Sequence, residues 1–455
     1  MKYLKSILLL AASLVLILQK SEEARGAETN NSDRVVVMIS VDGLAGFYLD
    51  DPKAEMPNIR ALAAEGARAA GMKASTPSVT WPNHTTLVTG VTPAIHGVVG
   101  NNYYDRSARR TVTLIWDPTF DKDEIVKVPT IYDMAKSNGL KTAAIRWPAS
   151  RNAKSLDWTI PDSRWGSMTK KYSTPSLIDE VRKAGIFSAK ENAADEIDDE
   201  TCVHIFNLIL EKHRPQLALL HLLDVDHTQH SKGPRSAGAY AAIKTADAQV
   251  GEVWEELKRD FPGKATLFVV SDHGFSPIKK IILPNVILRQ AGLTRENSPD
   301  NPIQIVSQGG SALVYVLDEA RRKMLLQKSA QAFRQVSEIA DIVGTEHLKD
   351  YGMAVPKNDP HAPDMILFAK QGYVFGDTAA GELAFEDKPE RLGSHGHNPA
   401  LPDLHATFVA WGAGIKTGVR LGEIENTRVA PTLAKLLGVS LPNVKSRPLT
   451  KILKK

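Results

Sequence analysis

The sequence predicts an α/β fold in which a mostly parallel central sheet carries helices on both faces. Three observations support this prediction: long apolar runs recur along the chain, amphipathic segments separate them, and acidic or imidazole side chains follow several of the runs. Near-continuous apolar runs are typical of buried parallel strands, and their alternation with helices is typical of a sheet covered on both faces. At 455 residues the chain is long enough for one large domain with an insertion.

Five apolar segments are predicted as strands, and two amphipathic segments as helices. The strands are residues 34–43 (RVVVMISVDG), 141–148 (KTAAIRWP), 217–227 (LALLHLLDVDH), 264–274 (KATLFVVSDHG) and 404–412 (LHATFVAWG). The helices are residues 56–67, which begin beside a proline, and 427–438, which end at a glycine.

Residues 280–386 interrupt this alternation with a predicted strand, a long helix and another strand. We interpret them as an inserted α+β cap subdomain, because the sheet-type pattern resumes at GSHGHNP. The domain around the insertion is predicted to span residues 33–441.

The N-terminus reads as an export signal covering residues 1–27. A basic start (MKYLK) precedes an apolar run at residues 7–18 and a polar stretch rich in small residues. That run is shorter than the roughly 20 residues that span a membrane, so we expect no stable span after cleavage, although an uncleaved anchor is the alternative. The predicted location is the periplasm or the extracellular space.

Charge and cysteine content exclude two further classes of protein. The net charge of +4 lies partly in the N-terminal segment, so no broad basic surface for nucleic acid is expected. Cys202 is the sole cysteine, which rules out an internal disulfide and favours a buried structural thiol.

Carboxylates and imidazoles cluster at the predicted strand ends. Since the carboxyl ends of parallel strands share one edge, residues more than 200 positions apart can converge there. The candidates are Asp42, Asp226, His230, Asp272, His273 and His395. This mixture suits zinc or a similar divalent ion. Each residue alone could belong to an ordinary turn or a surface pair, and we expect most of the other histidines nearby (His84, His96, His221, His227 and His397) to support the site or the fold.

A threonine, Thr80, stands at the predicted N-terminus of a helix in the stretch SVTWPNHTTLVTG. On its own it is compatible with a simple helix cap, with Pro82 in the first turn.

Six motifs occur in a recognisable order: ISVDG, TWPNHTTLVTG, IHGVVGNN, DVDHTQHSKGP, SDHG and SHG. In this order they resemble the type I phosphodiesterase/nucleotide pyrophosphatase family, part of the alkaline phosphatase superfamily. The resemblance runs from residue 34 to about residue 441 and is weakest in the inserted region. The chain lacks the long extensions of animal members, so it is similar to a compact, exported bacterial type.

The resemblance implies a hydrolase with two Zn²⁺ ions, or another divalent metal, that forms a phospho-threonine intermediate. Asp226, His230 and His395 would hold one ion, and Asp42, Asp272 and His273 the other, with the oxygen of Thr80 completing that second ligand set. Asn101 would hydrogen-bond a phosphate oxygen, with Asn102 as the alternative. Because zinc lowers the pKa of a bound hydroxyl, the nucleophile needs no histidine base.

The family also suggests a small phosphodiester or nucleotide substrate. Trp81, which follows the nucleophile, would stack a base, and His221 occupies the position where a tyrosine commonly covers the other face. The histidine is a departure that weakens the expectation of nucleotide specificity.

Other functions remain open on the same site. A phosphomonoesterase would need extra cations, for which Arg146, Lys170 and Lys171 are candidates. A phosphonate or phospholipid hydrolase is a further alternative, as is an exported binding protein on an inactive scaffold. The absence of a C-x-P-x-R or S-x-P-x-R motif argues against a sulfatase.

Overall fold

The structure, a computed structural model, describes residues 34–455 except 116–119, 163–170, 188–196, 297, 299 and 388–389. The predicted export signal at residues 1–27, residue 33 and Lys170 therefore lie outside the described residues. Within the described part of the chain, no helix is long and apolar enough to cross a membrane.

The strands are numbered in chain order. They are β1 (Val35–Val41), β2 (Ala67–Lys73), β3 (Asn102–Asp105), β4 (Arg110–Thr113), β5 (Thr142–Ile145), β6 (Trp158–Ile160), β7 (Leu217–Leu222), β8 (Ala265–Val270), β9 (Ser276–Ile282), β10 (Ile303–Ser307), β11 (Ser311–Val316), β12 (Ile339–Gly344), β13 (Met365–Ala369), β14 (Gly372–Phe375), β15 (Phe385–Asp387), β16 (Gly393–Ser394), β17 (Phe408–Gly412) and β18 (Val419–Glu425).

The helices are numbered in the same way. They are α1 (Pro57–Glu65), α2 (Thr80–Thr89), α3 (Pro93–His96), α4 (Lys122–Ile125), α5 (Ile131–Ser137), α6 (Pro175–Lys183), α7 (Asp199–His213), α8 (Asp224–Lys232), α9 (Ala237–Asp260), α10 (Pro284–Gln290), α11 (Arg322–Arg334) and α12 (Val429–Leu437). Short 3₁₀ helices cover Gly46–Leu49, Thr345–Tyr351, Pro402–Leu404, Asn426–Arg428 and Thr450–Ile452.

An eight-stranded sheet forms the centre of the molecule, in the order β18-β2-β17-β8-β1-β7-β5-β6. Strand β1 pairs in parallel with β7 and β8, and β5 pairs in parallel with β6 and β7. Strand β17, which the sequence predicts as a strand, runs antiparallel to both of its neighbours. The prediction of a mostly parallel sheet is confirmed, with this one reversed strand.

Helices cover both faces of the sheet, as predicted. Alternate side chains of β1 belong to opposite apolar clusters: Val37 and Ile39 pack with helices α7 and α9, whereas Val36 and Met38 pack with α5 and α12. The period of two along a strand produces this division, because all seven residues of β1 are buried and six of them are apolar. Cys202 of α7 is buried in the first cluster, as expected.

Two smaller sheets occupy residues 276–394. One has the antiparallel order β10-β11-β13-β12, and the other has the order β14-β9-β15, with β16 also pairing with β9. The first predicted strand and the long helix correspond to β11 and α11, the second predicted strand is divided into β13 and β14, and β10, β12, β15 and α10 are additional. The limits 280–386 stay a prediction, because Val35–Lys455 form one compact unit.

Candidate active site

The carboxyl-terminal edge of the central sheet gathers six acidic and imidazole side chains. Their positions are: Asp42 directly after β1, Asp226 and His230 on α8, Asp272 and His273 after β8, and His395 directly after β16. Asp226 lies in the first turn of a helix rather than at the strand end expected from sequence. The four-residue spacing puts its carboxylate and the His230 ring on one face of α8.

The six side chains approach one another closely. The Nε2 atom of His273 lies 3.4 Å from Asp42 Oδ1 and 3.1 Å from Asp272 Oδ2. Asp226 reaches two other rings, with its Oδ2 3.5 Å from His230 Nε2 and its Oδ1 3.6 Å from His395 Nε2.

Two groups of three within this set could hold a metal ion, because the ligand atoms of each group lie within 4.8 Å of one another. One is Asp226, His230 and His395, and the other is Asp42, Asp226 and His273. Asp226 therefore belongs to both, whereas the sequence resemblance divides the six ligands into two separate sets and gives Asp272 to the second.

Several atoms at the centre of this cluster are buried without a hydrogen-bond partner: Asp42 Oδ1, Asp226 Oδ1, Asp272 Oδ2 and His273 Nε2. Buried polar atoms are normally paired, because leaving one unpaired costs about 1–3 kcal/mol, and more for a charged group. Three carboxylates that share such a space without a cation would also repel one another. The donor set therefore fits divalent metal.

Backbone carbonyls fix the orientation of all three imidazoles. The Nδ1 atoms lie 3.0 Å from Gly393 O in His230, 3.2 Å from Ser78 O in His395 and 3.1 Å from Gly274 O in His273. A carbonyl can only accept, so each neutral ring carries its proton on Nδ1 and leaves Nε2 with a lone pair for a metal. The rings of His273 and His395 stack with their centroids 3.7 Å apart.

Burial shapes the protonation of the cluster. Burial, followed by the charges of Asp272 and Asp226, raises the pKa of Asp42 well above its ordinary value. Burial, followed by the neighbouring His273 and His230, lowers the pKa of His395 well below its ordinary value, and burial also lowers the pKa of His230. Both histidines are thereby kept in the neutral form that binds metal.

Thr80 is the first residue of helix α2, with Val79 rather than Thr80 at the N-cap. It is 6% exposed and lines a cavity of about 320 Å³ together with Asp226, His230 and His395. Thr80 thus lines the same space as three of the six candidate metal ligands, while Asp42, Asp272 and His273 are not among the lining residues.

Asn101 lines this cavity as well, and its side chain has a fixed orientation. Its Oδ1 atom accepts a hydrogen bond of 2.9 Å from the N–H of Trp81 in the first turn of α2. The amide of Asn101 therefore has Nδ2 left as a donor. The same bond occupies the N–H of Trp81, one of the N–H groups at the start of a helix that have no partner within the helix.

Trp81 and His221, the predicted stacking residues, lie away from the cavity lining. Trp81 is 4% exposed and packs in an apolar cluster with Tyr103 and Tyr104. His221 is fully buried, with Nε2 3.0 Å from Asp42 Oδ2 and Nδ1 3.0 Å from the carbonyl of Arg146. Stacking by either ring would require it to leave these contacts, so the observed position of His221 makes it a support for Asp42.

The cationic candidates for a phosphomonoesterase are also placed elsewhere. Arg146 is 5% exposed and donates from Nη1 to the carbonyl of Ile197 at 2.6 Å, with Asp199 Oδ1 3.3 Å from the same atom. The Nζ atom of Lys171 lies 4.8 Å from the centroid of the Tyr172 ring. Neither lines the cavity.

The opposite wall of the cavity comes from the inserted region and the segment after it. Its residues are Ser307, Gln308, Gly309, Asp377, Arg391 and Ser394. Sequence reasoning missed all of them. Arg391 could have been noticed because it precedes His395 by four residues, but no pattern singles out Gln308, whose role depends on a contact with residues 207 positions away.

The sequence model of the type I phosphodiesterase/nucleotide pyrophosphatase family matches residues 36–398. The chain belongs to this family. The resemblance inferred from the six motifs is thus confirmed.

Among curated members of the type I phosphodiesterase family, an uncharacterized pyrophosphatase/phosphodiesterase of Schizosaccharomyces pombe is 26% identical over 90% of this chain and 78% of its own length. Ectonucleotide pyrophosphatase/phosphodiesterase family member 3 of Rattus norvegicus is 24% identical over 89% of this chain. The chain spans only 42% of the length of that relative.

Solved structures show the same fold. Human ectonucleotide pyrophosphatase/phosphodiesterase 5 superposes with a TM-score of 0.70 at 19% identity, covering 93% of this chain and 100% of its own. An inactive threonine-to-alanine variant of the murine protein, in complex with AMP, superposes with a TM-score of 0.68 at 20% identity over the same shares.

Proposed function

We propose that this protein is a two-zinc phosphodiesterase that cleaves phosphodiester or nucleotide pyrophosphate bonds, with Thr80 as the nucleophile. The observation that carries the proposal is the shared cavity: Thr80 and Asn101 line it beside a cluster of buried carboxylate and imidazole atoms that have no hydrogen-bond partner. The metal ligands proposed are those the family resemblance assigns, Asp226, His230 and His395 for one ion and Asp42, Asp272 and His273 for the other, with Thr80 completing the latter.

Bound zinc would act as a Lewis acid that lowers the pKa of a hydroxyl group or water and neutralises charge on the phosphoryl oxygens. Thr80 Oγ1 then attacks phosphorus, the P–O bond to the leaving group breaks, and phospho-threonine forms. Water next attacks the same phosphorus, the bond to Thr80 breaks, and the threonine hydroxyl regains a proton. Asn101 donates from Nδ2 to a nonbridging phosphoryl oxygen throughout.

The known proteins support this assignment in two respects. Relatives carry the names pyrophosphatase and phosphodiesterase, including the venom phosphodiesterase of Macrovipera lebetinus. The murine structure pairs an inactivating loss of a threonine with bound AMP, which supports threonine chemistry and a nucleotide-sized ligand for this chain.

Arg391 narrows the proposed substrate class. It is exposed, lines the cavity near His230 and His395, and is the only Lys or Arg on the lining among the described residues. We assign it to a second negatively charged group on the substrate, as in a pyrophosphate. If Arg391 instead neutralises the additional negative charge of a phosphate monoester, the protein would be a phosphomonoesterase. The assay below separates these two functions.

The test compares an aryl phosphodiester, a nucleotide phosphodiester and the matching aryl monoester on zinc-loaded protein. We expect diester hydrolysis to dominate and to fall at least about 10³-fold in Thr80→Ala, since the residual activity lacks the nucleophile. Zinc content should stay unchanged.

Thr89→Ala is the matched control, because this threonine lies at the far end of the same helix and its hydroxyl bonds the carbonyl of Thr85. Dominant monoester hydrolysis would move the function to phosphatase. Undiminished turnover in Thr80→Ala would remove threonine as the nucleophile.

A further inference from the structure

The turn between β10 and β11, residues Gln308, Gly309 and Gly310, joins the inserted region to the cavity. We call it the QGG turn. The side chain of Gln308 is buried within it, with the residue only 4% exposed. Its Oε1 atom accepts a hydrogen bond of 2.9 Å from the N–H of Asn101, and its Nε2 atom donates one of 2.7 Å to the carbonyl of Asn102.

Both partners of Gln308 are backbone groups, and this settles the orientation of its amide. An exchange of O and N would place a donor against the Asn101 N–H and an acceptor against the Asn102 carbonyl. The chain thus uses one buried side chain to hold both ends of the short backbone segment that carries Asn101.

We propose that Gln308 is a positioning residue that holds Asn101 in the geometry needed to donate to the substrate phosphate. This rests on the proposed function, because it acts through the phosphate contact of Asn101. The other polar atoms of Asn101 are occupied: Oδ1 accepts from the N–H of Trp81, and the carbonyl accepts from the N–H of Leu114 at 2.8 Å. Gln308 takes the backbone N–H, so only Nδ2 is left to donate to a ligand.

The QGG turn also touches the loop of a candidate metal ligand. The N–H of Gly310 donates to the carbonyl of His395 at 2.8 Å. A Cβ atom at Gly309, which has φ +74°, would lie 2.5 Å from that same carbonyl oxygen. A Cβ at Gly396 would lie 1.8 Å from the carbonyl oxygen of Gln308. These approaches require glycine, and they place the turn against both Asn101 and His395.

A merely structural Gln308 and a positioning Gln308 make different predictions. If Gln308 only filled space, an apolar side chain of similar volume could replace it, and any loss of kcat would be independent of the Asn101 side chain. If it positions Asn101, removing its hydrogen bonds should matter only while that side chain is present.

The experiment is a double-mutant cycle on zinc-loaded full-length protein with an aryl phosphodiester. Gln308→Met removes both hydrogen bonds at similar volume, and we expect kcat to fall about tenfold with KM changed less than about threefold. Asn101→Ala should lower kcat about 10²-fold, as for removal of one donor to a transition-state oxygen. The double variant should be no slower than Asn101→Ala alone.

Gln304→Met, on strand β10, which leads into the QGG turn, is the matched control and should leave kcat unchanged, since the amide of Gln304 makes a 3.5 Å contact with the carbonyl of Asn301. Zinc content and melting temperature are measured for every variant, so that damage to the His395 loop is seen directly. Gln308→Glu keeps the acceptor for Asn101 and loses the donor to Asn102. If the methionine variant does not fold, the glutamate variant tests the same coupling, and any loss of kcat that it causes should again disappear in the Asn101→Ala background.

The inference would be overturned if the two fold-losses in kcat multiply in the double variant, or if Gln308→Met keeps the wild-type kcat. A failure of the proposed function looks different: in that case Asn101→Ala itself, or Thr80→Ala, would leave diester hydrolysis intact.

Discussion

The two walls of the cavity are built in contrasting ways. On the side of the central sheet, Asp42 is 2% exposed and Asp272 fully buried; neither lines the cavity itself, and each has a carboxylate oxygen without a hydrogen-bond partner. On the wall that includes the inserted region, the side-chain amide of Gln308 forms hydrogen bonds with the backbone of Asn101 and Asn102, and Arg391 is exposed. The first wall concentrates charge that only a cation can balance, and the second arranges donors around that charge. Under the proposed function, chemistry and selection of substrate would therefore depend on different parts of the chain.

The largest effect should come from the sheet wall. Asp272→Asn removes one negative charge from the unpaired cluster, so we expect the loss of about one bound zinc ion per chain and a fall in kcat of at least about 10²-fold. Metal analysis after dialysis and diesterase kinetics measure both quantities.

Asp247→Asn is the matched control for Asp272→Asn. Asp247 is also a buried carboxylate, but it accepts hydrogen bonds from the N–H groups of Asn58 and Ile59 at the start of α1. The control should lower the melting temperature and leave zinc content unchanged. Full zinc occupancy in Asp272→Asn would take this residue out of the ligand set and weaken the contrast between the walls.

A smaller effect should come from the opposite wall. Arg391→Ala removes the cation of the cavity lining, so kcat/KM for a nucleoside pyrophosphate should fall about tenfold, the size expected for loss of one charge-assisted hydrogen bond. The aryl diester, which lacks the second charged group, should change less than about threefold.

Two further variants sharpen the result at Arg391. Arg391→Lys should recover part of the lost kcat/KM, and Arg334→Ala, an exposed arginine at the end of α11, should have no effect. An equal loss on both substrates in Arg391→Ala would show that this wall does not select for the second charge.

The smallest effect concerns stability in acid, away from both walls. Burial lowers the pKa of His96 to about 3, and the neutral ring bonds Thr86 Oγ1 and the N–H of Val98. Since the unfolded chain takes up this proton near pH 6.5 and the folded chain does not, the free energy of unfolding should fall by up to about 1.4 kcal/mol per pH unit as pH drops from 6.5 towards 3.

His96→Gln keeps a donor and an acceptor but cannot titrate, so it should flatten that slope, as measured by urea unfolding of metal-loaded protein at several pH values. If the slope of the free energy of unfolding against pH is unchanged in His96→Gln, the acid sensitivity would come from the carboxylates and imidazoles of the sheet wall instead.

The two walls differ in how much of their structure could be predicted from the sequence. The run VVVMISV predicts a strand that is buried on both faces, and the residue that follows such a strand lies at the edge of the sheet. That logic brought Asp42, Asp272 and His273 to a single place, although each motif alone was compatible with a turn. It does not give the direction of each strand, which tertiary pairing decides, as in the reversed β17 that follows the His395 loop.

The inserted-region wall could not be read in this way. Gln308 has no local pattern, because its partners Asn101 and Asn102 are reached only when β10 and β11 pair and the turn between them meets the loop before β3. Trp81 and His221 show the converse: a position relative to a motif suggested a role, but the burial of each ring is set by neighbours that the motif does not contain.

The QGG turn has a consequence for how substrate reaches the cavity. A rigid-body swing of the inserted region would break the two hydrogen bonds of Gln308 and the bond from Gly310 to His395, and would free Asn101 from its place. Access by such an opening would dismantle the phosphate contact at each turnover. We therefore expect substrate to enter and product to leave past the exposed side chain of Arg391 while the inserted region keeps its position. The width of that entrance, rather than a closing motion, would then limit the size of the substrate.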